Sequence, residues 1–206
     1  MLSVPVRIAA SLLVELVLAP AASRAQNVLV NPDFNSSVTA WSAPTGALAF
    51  GAAGDVDGCA GSGVAVGSTP VFVGGQWTLE IAASGSCLAV QPADLIHMNA
   101  RLRLSAVIGN TDFAFETYTD SACTTGALVT PTVGYTALPT GIWFDFRTGG
   151  APPPGVQSVK FFMRFRDPAN PNFQVALDRT YLGLLDPVFL DDFEAGSTCR
   201  ASAVAP

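Results

Sequence analysis

Apolar and polar residues alternate one by one along several stretches of the chain. The clearest is residues 96–104, which read Ile-His-Met-Asn-Ala-Arg-Leu-Arg-Leu without a break in the alternation. In a β-strand the apolar side chains of such a run lie on one face, whereas in a helix polar residues would appear on every side. The same pattern occurs in residues 159–165, with Phe162 as the one aromatic on the polar face, and in residues 143–147. These runs predict β-strands with one buried face.

Shorter apolar runs between turn-rich pieces predict further strands. They are residues 27–30, 64–66, 77–81, 87–90, 113–118 and 173–182. Turn-forming residues are concentrated in residues 54–63, 148–155 and 167–172, and no segment has a helical period of apolar residues. Eight or more short strands joined by turns predict an all-β fold, an antiparallel β-sandwich of the jelly-roll type.

The first 25 residues have the three parts of a cleavable signal peptide. Arg7 supplies the basic region, residues 8–18 the apolar stretch, and residues 23–25 the small-residue exit. The apolar stretch has 11 residues, whereas a helix needs about 20 to span a bilayer. We therefore expect cleavage after Ala25, with an uncleaved amphipathic helix as the alternative. No later stretch is long and apolar enough to span a membrane, so we expect a secreted protein, extracellular or periplasmic.

Cleavage would leave 181 of the 206 residues, which is within the range of a single domain. We predict this domain over residues 26–185, followed by a carboxyl-terminal tail over residues 186–206. The tail is open to three interpretations: a terminal strand, a processing or sorting tail, or the start of a second module. The removed segment carries two basic residues and one acidic residue, so the net charge changes from −6 to −7. This acidic balance argues against nucleic acid as a partner, because phosphates require basic clusters.

The chain contains four cysteines, and all of them follow the predicted cleavage point. They are Cys59, Cys87, Cys123 and Cys199. An even number of cysteines in an oxidising compartment predicts two disulfide bonds, for which three pairings are open. The cysteines lack the C-x-x-C spacing of a zinc site, and His97 is the single histidine, so zinc binding is not predicted.

Three motifs, in order along the chain, resemble those of a known family. After residues 27–30 comes Asn-Pro-Asp-Phe-Asn at residues 31–35, followed by Trp41 and Ser42. The second motif is the glycine-rich acidic segment 55–66, and the third is Val-Ala-Leu-Asp-Arg-Thr-Tyr-Leu at residues 175–182. Over residues 27–182 the chain resembles carbohydrate-binding modules of the galactose-binding-like jelly-roll superfamily. The resemblance implies a secreted, noncatalytic module that recognises a cell-surface or environmental polysaccharide.

The resemblance also implies a structural calcium ion, held by oxygens of the first motif and of the closing strand. Carried over, the ligands are Asn35, which stands in the place of a glutamate, and Asp178. A hard cation that prefers oxygen ligands would tie the first strand to the last. The alternative is that Asp178 accepts hydrogen bonds from the first turn. Asp55 and Asp57 lack the register of an EF-hand and are interpreted as a solvated turn, with a calcium loop as the alternative.

In the resembling modules, a cysteine before the longest strand accompanies one at the end of the next hairpin. Carried over to this chain, the pair is Cys87 with Cys123. Cys59 and Cys199 would then pair and attach the tail to the acidic segment, with a free or intermolecular Cys199 as the alternative.

Sugar binding by a rigid sandwich combines an aromatic platform with polar groups that bind hydroxyls. Trp143 is predicted to point outward together with Asp145 and Arg147, because it alternates with two phenylalanines. Trp77, Phe162, Tyr118 and Tyr135 are the other aromatic candidates for ligand binding. Packing inside the protein is the alternative for any strand aromatic, and Trp41 is predicted to be a core residue.

The sequence lacks the residue combinations that common hydrolases require. His97 lies on the polar face of a predicted strand and no G-x-S-x-G motif accompanies it, so a hydrolase triad is not predicted. Glycoside hydrolysis would require two carboxylates about 5–10 Å apart. The candidates for such a pair are Glu80, Glu116, Asp145 and Asp178. A small secreted glycoside hydrolase is therefore one alternative function, and a structural or adhesive surface protein without a sugar site is another.

Overall fold

A computed structural model describes residues 27–52, 54, 56 and 63–184. The predicted signal peptide and carboxyl-terminal tail lie outside these residues, as do Asp55, Asp57, Cys59 and Cys199. Among the described residues there is no helix long and apolar enough to cross a membrane.

The described residues form strands in two antiparallel sheets. The strands are β1 (Ala47–Gly51), β2 (Val64–Ser68), β3 (Val71–Val73), β4 (Gln76–Ala82), β5 (Leu88–Ala89), β6 (Ile96–Leu104), β7 (Asn110–Tyr118), β8 (Leu128–Tyr135), β9 (Phe144–Gly150), β10 (Ser158–Asp167) and β11 (Val175–Gly183). One sheet has five strands in the order β1-β2-β11-β6-β9. The other has the order β3-β4-β10-β7-β8, and the short β5 also pairs with β10. The predicted all-β antiparallel sandwich is therefore confirmed.

Strand β6 covers residues 96–104 as predicted, and its residues alternate between buried and half-buried along its whole length. The prediction of a strand at residues 27–30 is wrong, because this segment does not form a regular strand. It does lie beside β11. Val28 N donates to Leu182 O, but the next bonds come from the Asn27 side chain, whose Oδ1 accepts from Leu182 N and whose Nδ2 donates to Thr180 O. A side-chain amide thus replaces the backbone ladder at this edge.

Three strands were not predicted: β1, β3 and β8. Strand β8 contains Pro131, which lacks an N–H and disfavours a central strand. In the structure β8 is the outermost strand of its sheet and has an irregular register opposite Phe113 and Ala114. An edge position tolerates proline because one side of the strand has no partner. The segment predicted as a turn from residue 148 instead continues β9 to Gly150.

The core lies between the two sheets and is rich in phenylalanine. Phe34, Phe113, Phe115, Phe161, Phe165 and Phe173 are among the largest fully buried side chains. Trp41 is buried as predicted, with its ring edge-on to Phe161 and its Nε1 donating to Val30 O at 3.0 Å. This tryptophan therefore satisfies its one polar atom while it fills the core.

Asp167, at the end of β10, anchors two loops. Its carboxylate accepts hydrogen bonds from the backbone N–H of Gly109, Ala169 and Asn170, at 2.9, 2.8 and 2.7 Å. Burial on its own raises the pKa of this carboxyl, but the three N–H donors outweigh burial and lower its pKa. The ionised form is therefore the one that the fold stabilises.

We expect Asp167→Asn to lower the free energy of unfolding by about 1–3 kcal/mol at pH 7, because bonds to a charged acceptor become bonds to a neutral one. A carboxyl whose pKa is lowered by folding contributes stability above its unfolded pKa of about 3.9 and loses that contribution as the pH falls through its folded pKa. The difference between wild type and variant should therefore shrink below pH 4. Urea unfolding between pH 2.5 and 7 measures it, and a difference that is constant with pH would contradict the assignment.

Candidate functional site

The structure separates the predicted ligand-binding residues onto opposite faces of the sandwich. Phe162 lies on the outer face of the six-stranded sheet, because its neighbours Phe161 and Met163 point into the core. Asp145 and Arg147 lie on the outer face of the five-stranded sheet, next to Trp143. Trp77, which was predicted to bind ligand, lies on neither outer face.

Trp77 lies at the start of β4, next to the edge strand β3. Its half-buried ring packs against the core and makes an edge-to-face contact with Phe72, at 5.2 Å between ring centroids. Phe72 itself is largely exposed. This pair therefore covers the open edge of the sandwich.

The outer face of the six-stranded sheet is built around β10 and is here called the Phe162 face. Its members are Glu80, Asp112, Glu116, Tyr118, Lys160, Phe162, Arg164 and Arg166. The even-numbered residues of β10 point to this face, and the register places β4 and β7 residues directly beside them. Four residues of β10 therefore run down the middle of the face, with carboxylates on both sides.

The centre of the Phe162 face is apolar. Phe162 lies opposite Ala82 on one neighbouring strand and Ala114 on the other, and Val129 packs against this group. The two alanines leave room for the large ring, which is only 4% exposed. The Arg164 guanidinium carbon lies 5.3 Å from the ring centroid, within cation–π range. Phe162 is thus the floor of the face, lying beneath charged side chains.

Ion pairs hold the charged side chains beside this floor. Arg164 Nε lies 2.8 Å from Glu80 Oε1, and Arg166 Nη2 pairs with Asp112 Oδ2. The Glu80 side chain is 15% exposed and that of Asp112 is 9% exposed, so both carboxylates are largely enclosed. A guanidinium has five N–H donors and a carboxylate has about four acceptor positions, so each pair retains unused donors and acceptors. These two ion pairs form a row along β10 that offers hydrogen-bonding groups in fixed positions.

At the other end of the face lie Lys160, Glu116 and Tyr118. Lys160 Nζ is 5.1 Å from the centroid of the Tyr118 ring. Burial raises the pKa of the Tyr118 hydroxyl, and its hydrogen bond to Glu116 and the charges of Glu116 and Asp120 raise it further. Tyr118 therefore remains a neutral hydroxyl across the physiological range.

A disulfide-anchored loop closes this end of the face. The structure confirms the predicted pair Cys87–Cys123. Ser158, directly opposite Tyr118 in the register, is fully buried and donates from Oγ to Asp120 O.

The same loop is stiffened by the Asp120 side chain. Hydrogen bonds from the Thr124 hydroxyl and backbone N–H, the Thr125 hydroxyl and the Ala122 N–H together outweigh desolvation and lower the pKa of this carboxyl. Asp120 is thus held in its ionised form by the loop that it organises.

The outer face of the five-stranded sheet along β6 and β9 is here called the Trp143 face. Its members on these two strands and at the start of β9 are His97, Asn99, Arg101, Arg103, Trp143, Asp145 and Arg147. Sequence alternation predicted that Trp143, Asp145 and Arg147 share a face. The β6 arginines were visible as polar positions of an alternating strand, but their place beside β9 depends on a strand pairing that alternation does not reveal.

The two residues implied as calcium ligands differ in their surroundings. Asn35 is exposed, whereas Asp178 is 1% exposed. Asp178 Oδ1 accepts from Arg179 N at 2.8 Å, and Oδ2 accepts from Val56 N at 3.1 Å. The described residues contain no group of three histidine, cysteine or acidic side chains placed to hold a metal ion. The bond from Val56 N joins Asp178 to the acidic segment. Calcium binding by Asn35 and Asp178 stays a prediction.

The first turn is joined to β11 by a neighbouring residue. Thr180 donates to Pro32 O from both its backbone N and its Oγ1, at 3.0 and 2.8 Å. These bonds connect the two motifs that the resemblance joins through a metal.

The four carboxylates considered for hydrolysis are divided between the two sheets. Glu80 and Glu116 lie on the Phe162 face, opposite Arg164 and Lys160 of β10. Four residues along a strand and two strand spacings put their backbones about 16 Å apart. Asp145 and Asp178 belong to the five-stranded sheet, and Asp145 pairs with Arg101 at 2.9 Å.

Neither a protein-family model nor a curated protein sequence matches the chain. Solved structures do resemble it. Those with similar architecture include the enzymatically active domain of tailspike protein 4 from bacteriophage CBA120, with a TM-score of 0.54 and 15% identity over 79% of this chain. The chain spans 22% of the length of that solved domain.

Two similar structures are single modules. TmCBM61, solved in complex with β-1,4-galactotriose, has a TM-score of 0.50 and 12% identity, over 78% of this chain and 99% of that one. The C-terminal family 22 carbohydrate-binding module of Clostridium thermocellum Xyn10B has a TM-score of 0.50 and 12% identity, over 74% and 90%. At these identities the similarity concerns the fold. The chain therefore has the jelly-roll fold of carbohydrate-binding modules.

Proposed function

We propose that this protein is a secreted, noncatalytic domain that binds a polysaccharide on its Phe162 face. The observation that carries the proposal is the row of ion pairs, Glu80 with Arg164 and Asp112 with Arg166, beside an apolar floor. The jelly-roll fold shared with carbohydrate-binding modules supports it.

This arrangement suits a sugar polymer for two reasons. Sugar hydroxyls both donate and accept hydrogen bonds, and paired guanidinium and carboxylate groups offer both kinds of partner side by side. The groups are also held on neighbouring strands and restrained by each other, which reduces the entropy lost when a ligand is bound. The Phe162 ring is almost fully buried, and it supports the Arg164 side chain that would contact the sugar.

The same geometry favours binding over hydrolysis. Glu80 and Asp112 both flank Arg164, with their backbones two strand spacings or about 10 Å apart. A glycosidase needs the scissile bond between its two carboxylates. Here a guanidinium side chain occupies the space between them, and each carboxylate is in an ion pair. The arrangement therefore supports a noncatalytic role.

We expect Arg164→Gln to weaken binding to a neutral glycan about tenfold or more, because the variant loses a charged donor from the centre of the row. A glycan array with the full chain identifies the ligand, and titration calorimetry then compares the variant with wild type. Gln174→Ala, which removes an exposed polar side chain outside the Phe162 face, is the control and should bind as wild type does. Thermal unfolding checks that both variants are folded.

If the protein binds none of the glycans on the array, the proposal is overturned and a structural or adhesive surface protein is favoured. Repeating the array with a chelator tests the proposed structural calcium at Asn35 and Asp178. Calcium should raise the melting temperature, and a melting temperature that is the same with calcium and with chelator would contradict that part of the proposal.

A further inference from the structure

Cations outnumber anions by one on the Trp143 face, although the protein as a whole is acidic. The face contains three arginines, Arg101, Arg103 and Arg147. Its two acidic residues, Asp145 and Asp178, both lie opposite Arg101, on the strands at either side of β6. The full chain has a formal net charge of −6. A local excess of cations on an acidic protein attracts anions to one surface while the rest of the molecule repels them.

Arg103 is held in a defined orientation by Trp143. Its guanidinium carbon lies 4.9 Å from the centroid of the Trp143 ring. A guanidinium stacked on a ring keeps its N–H donors along its edges, where a carboxylate or sulfate can accept two parallel hydrogen bonds. Trp143 is therefore a positioning residue for Arg103, and this differs from the sugar platform that the sequence predicted.

Arg147 provides a second cation on the same face. It is exposed and lies opposite Asn99, four residues along β6 from Arg103, so the backbones of the two arginines are separated by roughly 14 Å. Arg101, which lies between them along the strand, pairs with Asp145. The face thus presents two cationic positions at a fixed spacing along neighbouring strands.

We propose that the Trp143 face is a second binding surface, which takes an acidic polysaccharide through repeating anionic groups at Arg103 and Arg147. A polymer with regularly spaced charges can engage both positions at once, and the second contact then benefits from the first. Carboxylated and sulfated sugars share the chemistry that these two arginines recognise. This surface is on the opposite side of the sandwich from the Phe162 face and does not depend on it.

The test uses the full chain with polygalacturonate, dextran sulfate and neutral dextran as probes, measured by titration calorimetry at several salt concentrations. Wild type should bind one or both acidic polymers and not dextran, with affinity that falls as salt rises. The two acidic probes distinguish a carboxylate ligand from a sulfate ligand. Arg103→Gln and Arg147→Gln should each weaken this binding, and the two substitutions together should weaken it at least tenfold.

Arg164→Gln removes one positive charge from the opposite face and is the charge-matched comparison for each single arginine variant. It should lose affinity for the neutral glycan but keep its affinity for the acidic polymer, and the double arginine variant should behave in the reverse way. The inference is overturned if no acidic polymer binds, if the double variant binds like wild type, or if Arg164→Gln weakens acidic binding as much as Arg103→Gln does. None of these results depends on whether the Phe162 face binds a glycan.

Discussion

Replacing Phe161 with alanine is expected to lower the free energy of unfolding by about 3–5 kcal/mol. Phe161 is fully buried between the sheets, and its ring meets the Trp41 ring at 5.3 Å. The substitution removes a large apolar side chain and leaves a cavity that the surrounding strands cannot fill, because they are hydrogen-bonded on both sides. Urea unfolding at pH 7 measures the loss.

Phe162→Ala is the matched comparison, because it makes the same change at the next residue on the opposite side of the same strand. Phe162 packs against a much smaller group, two alanines and Val129, and water can enter the space that it leaves. We expect a smaller stability loss, about 1.5–3 kcal/mol, together with loss of glycan binding on the Phe162 face. Phe161→Ala should retain binding at a temperature where it is folded. Equal stability losses for both variants would contradict the two-sided assignment of β10.

Removing the disulfide with Cys87→Ser and Cys123→Ser is expected to cost about 4 kcal/mol. The bond joins cysteines 36 residues apart, and in the chain-entropy model a loop of this size restricts the unfolded chain by that amount. The crosslinked segment includes β6 and β7, so its effect falls on both sheets. Equilibrium unfolding of the double variant and wild type, without reductant, measures the difference.

The control for the disulfide experiment is Ser158→Ala. Cys123 Sγ lies 3.1 Å from Ser158 Oγ, which in turn donates to Asp120 O. Losing this hydroxyl should cost only about 1 kcal/mol, so the control separates loop packing from the crosslink. A loss in the double cysteine variant no larger than that in Ser158→Ala would show that the crosslink itself contributes little.

Sequence reasoning was most successful where a strand's two faces differ. Strand β6 matches its predicted bounds because five apolar residues alternate with four polar ones, a pattern that only an extended chain can bury on one side. It failed at β8, where Pro131 and an irregular register hide the pattern. It also predicted a regular strand at residues 27–30, where the Asn27 side chain instead makes hydrogen bonds that a strand would make with its backbone.

The candidate site could be predicted only in part. The polar position of Phe162 on its strand followed from alternation, but its covering by Arg164 and its small neighbours Ala82 and Ala114 did not. The stacking of Arg103 on Trp143 was likewise invisible, since the two residues are far apart in the chain and meet only because β6 and β9 are neighbours.

By itself the sequence determined the class of fold and the inward or outward direction of side chains within its clearest strands, because alternation is a local property of an extended backbone. Through a family resemblance it also indicated the Cys87–Cys123 pair. Only the tertiary structure decided which strands are neighbours, and therefore that Phe162 and Trp143 lie on opposite faces. Glu80 and Arg164 are 84 residues apart in the chain and 2.8 Å apart in the fold, and contacts of this kind depend on strand order, which no local pattern specifies.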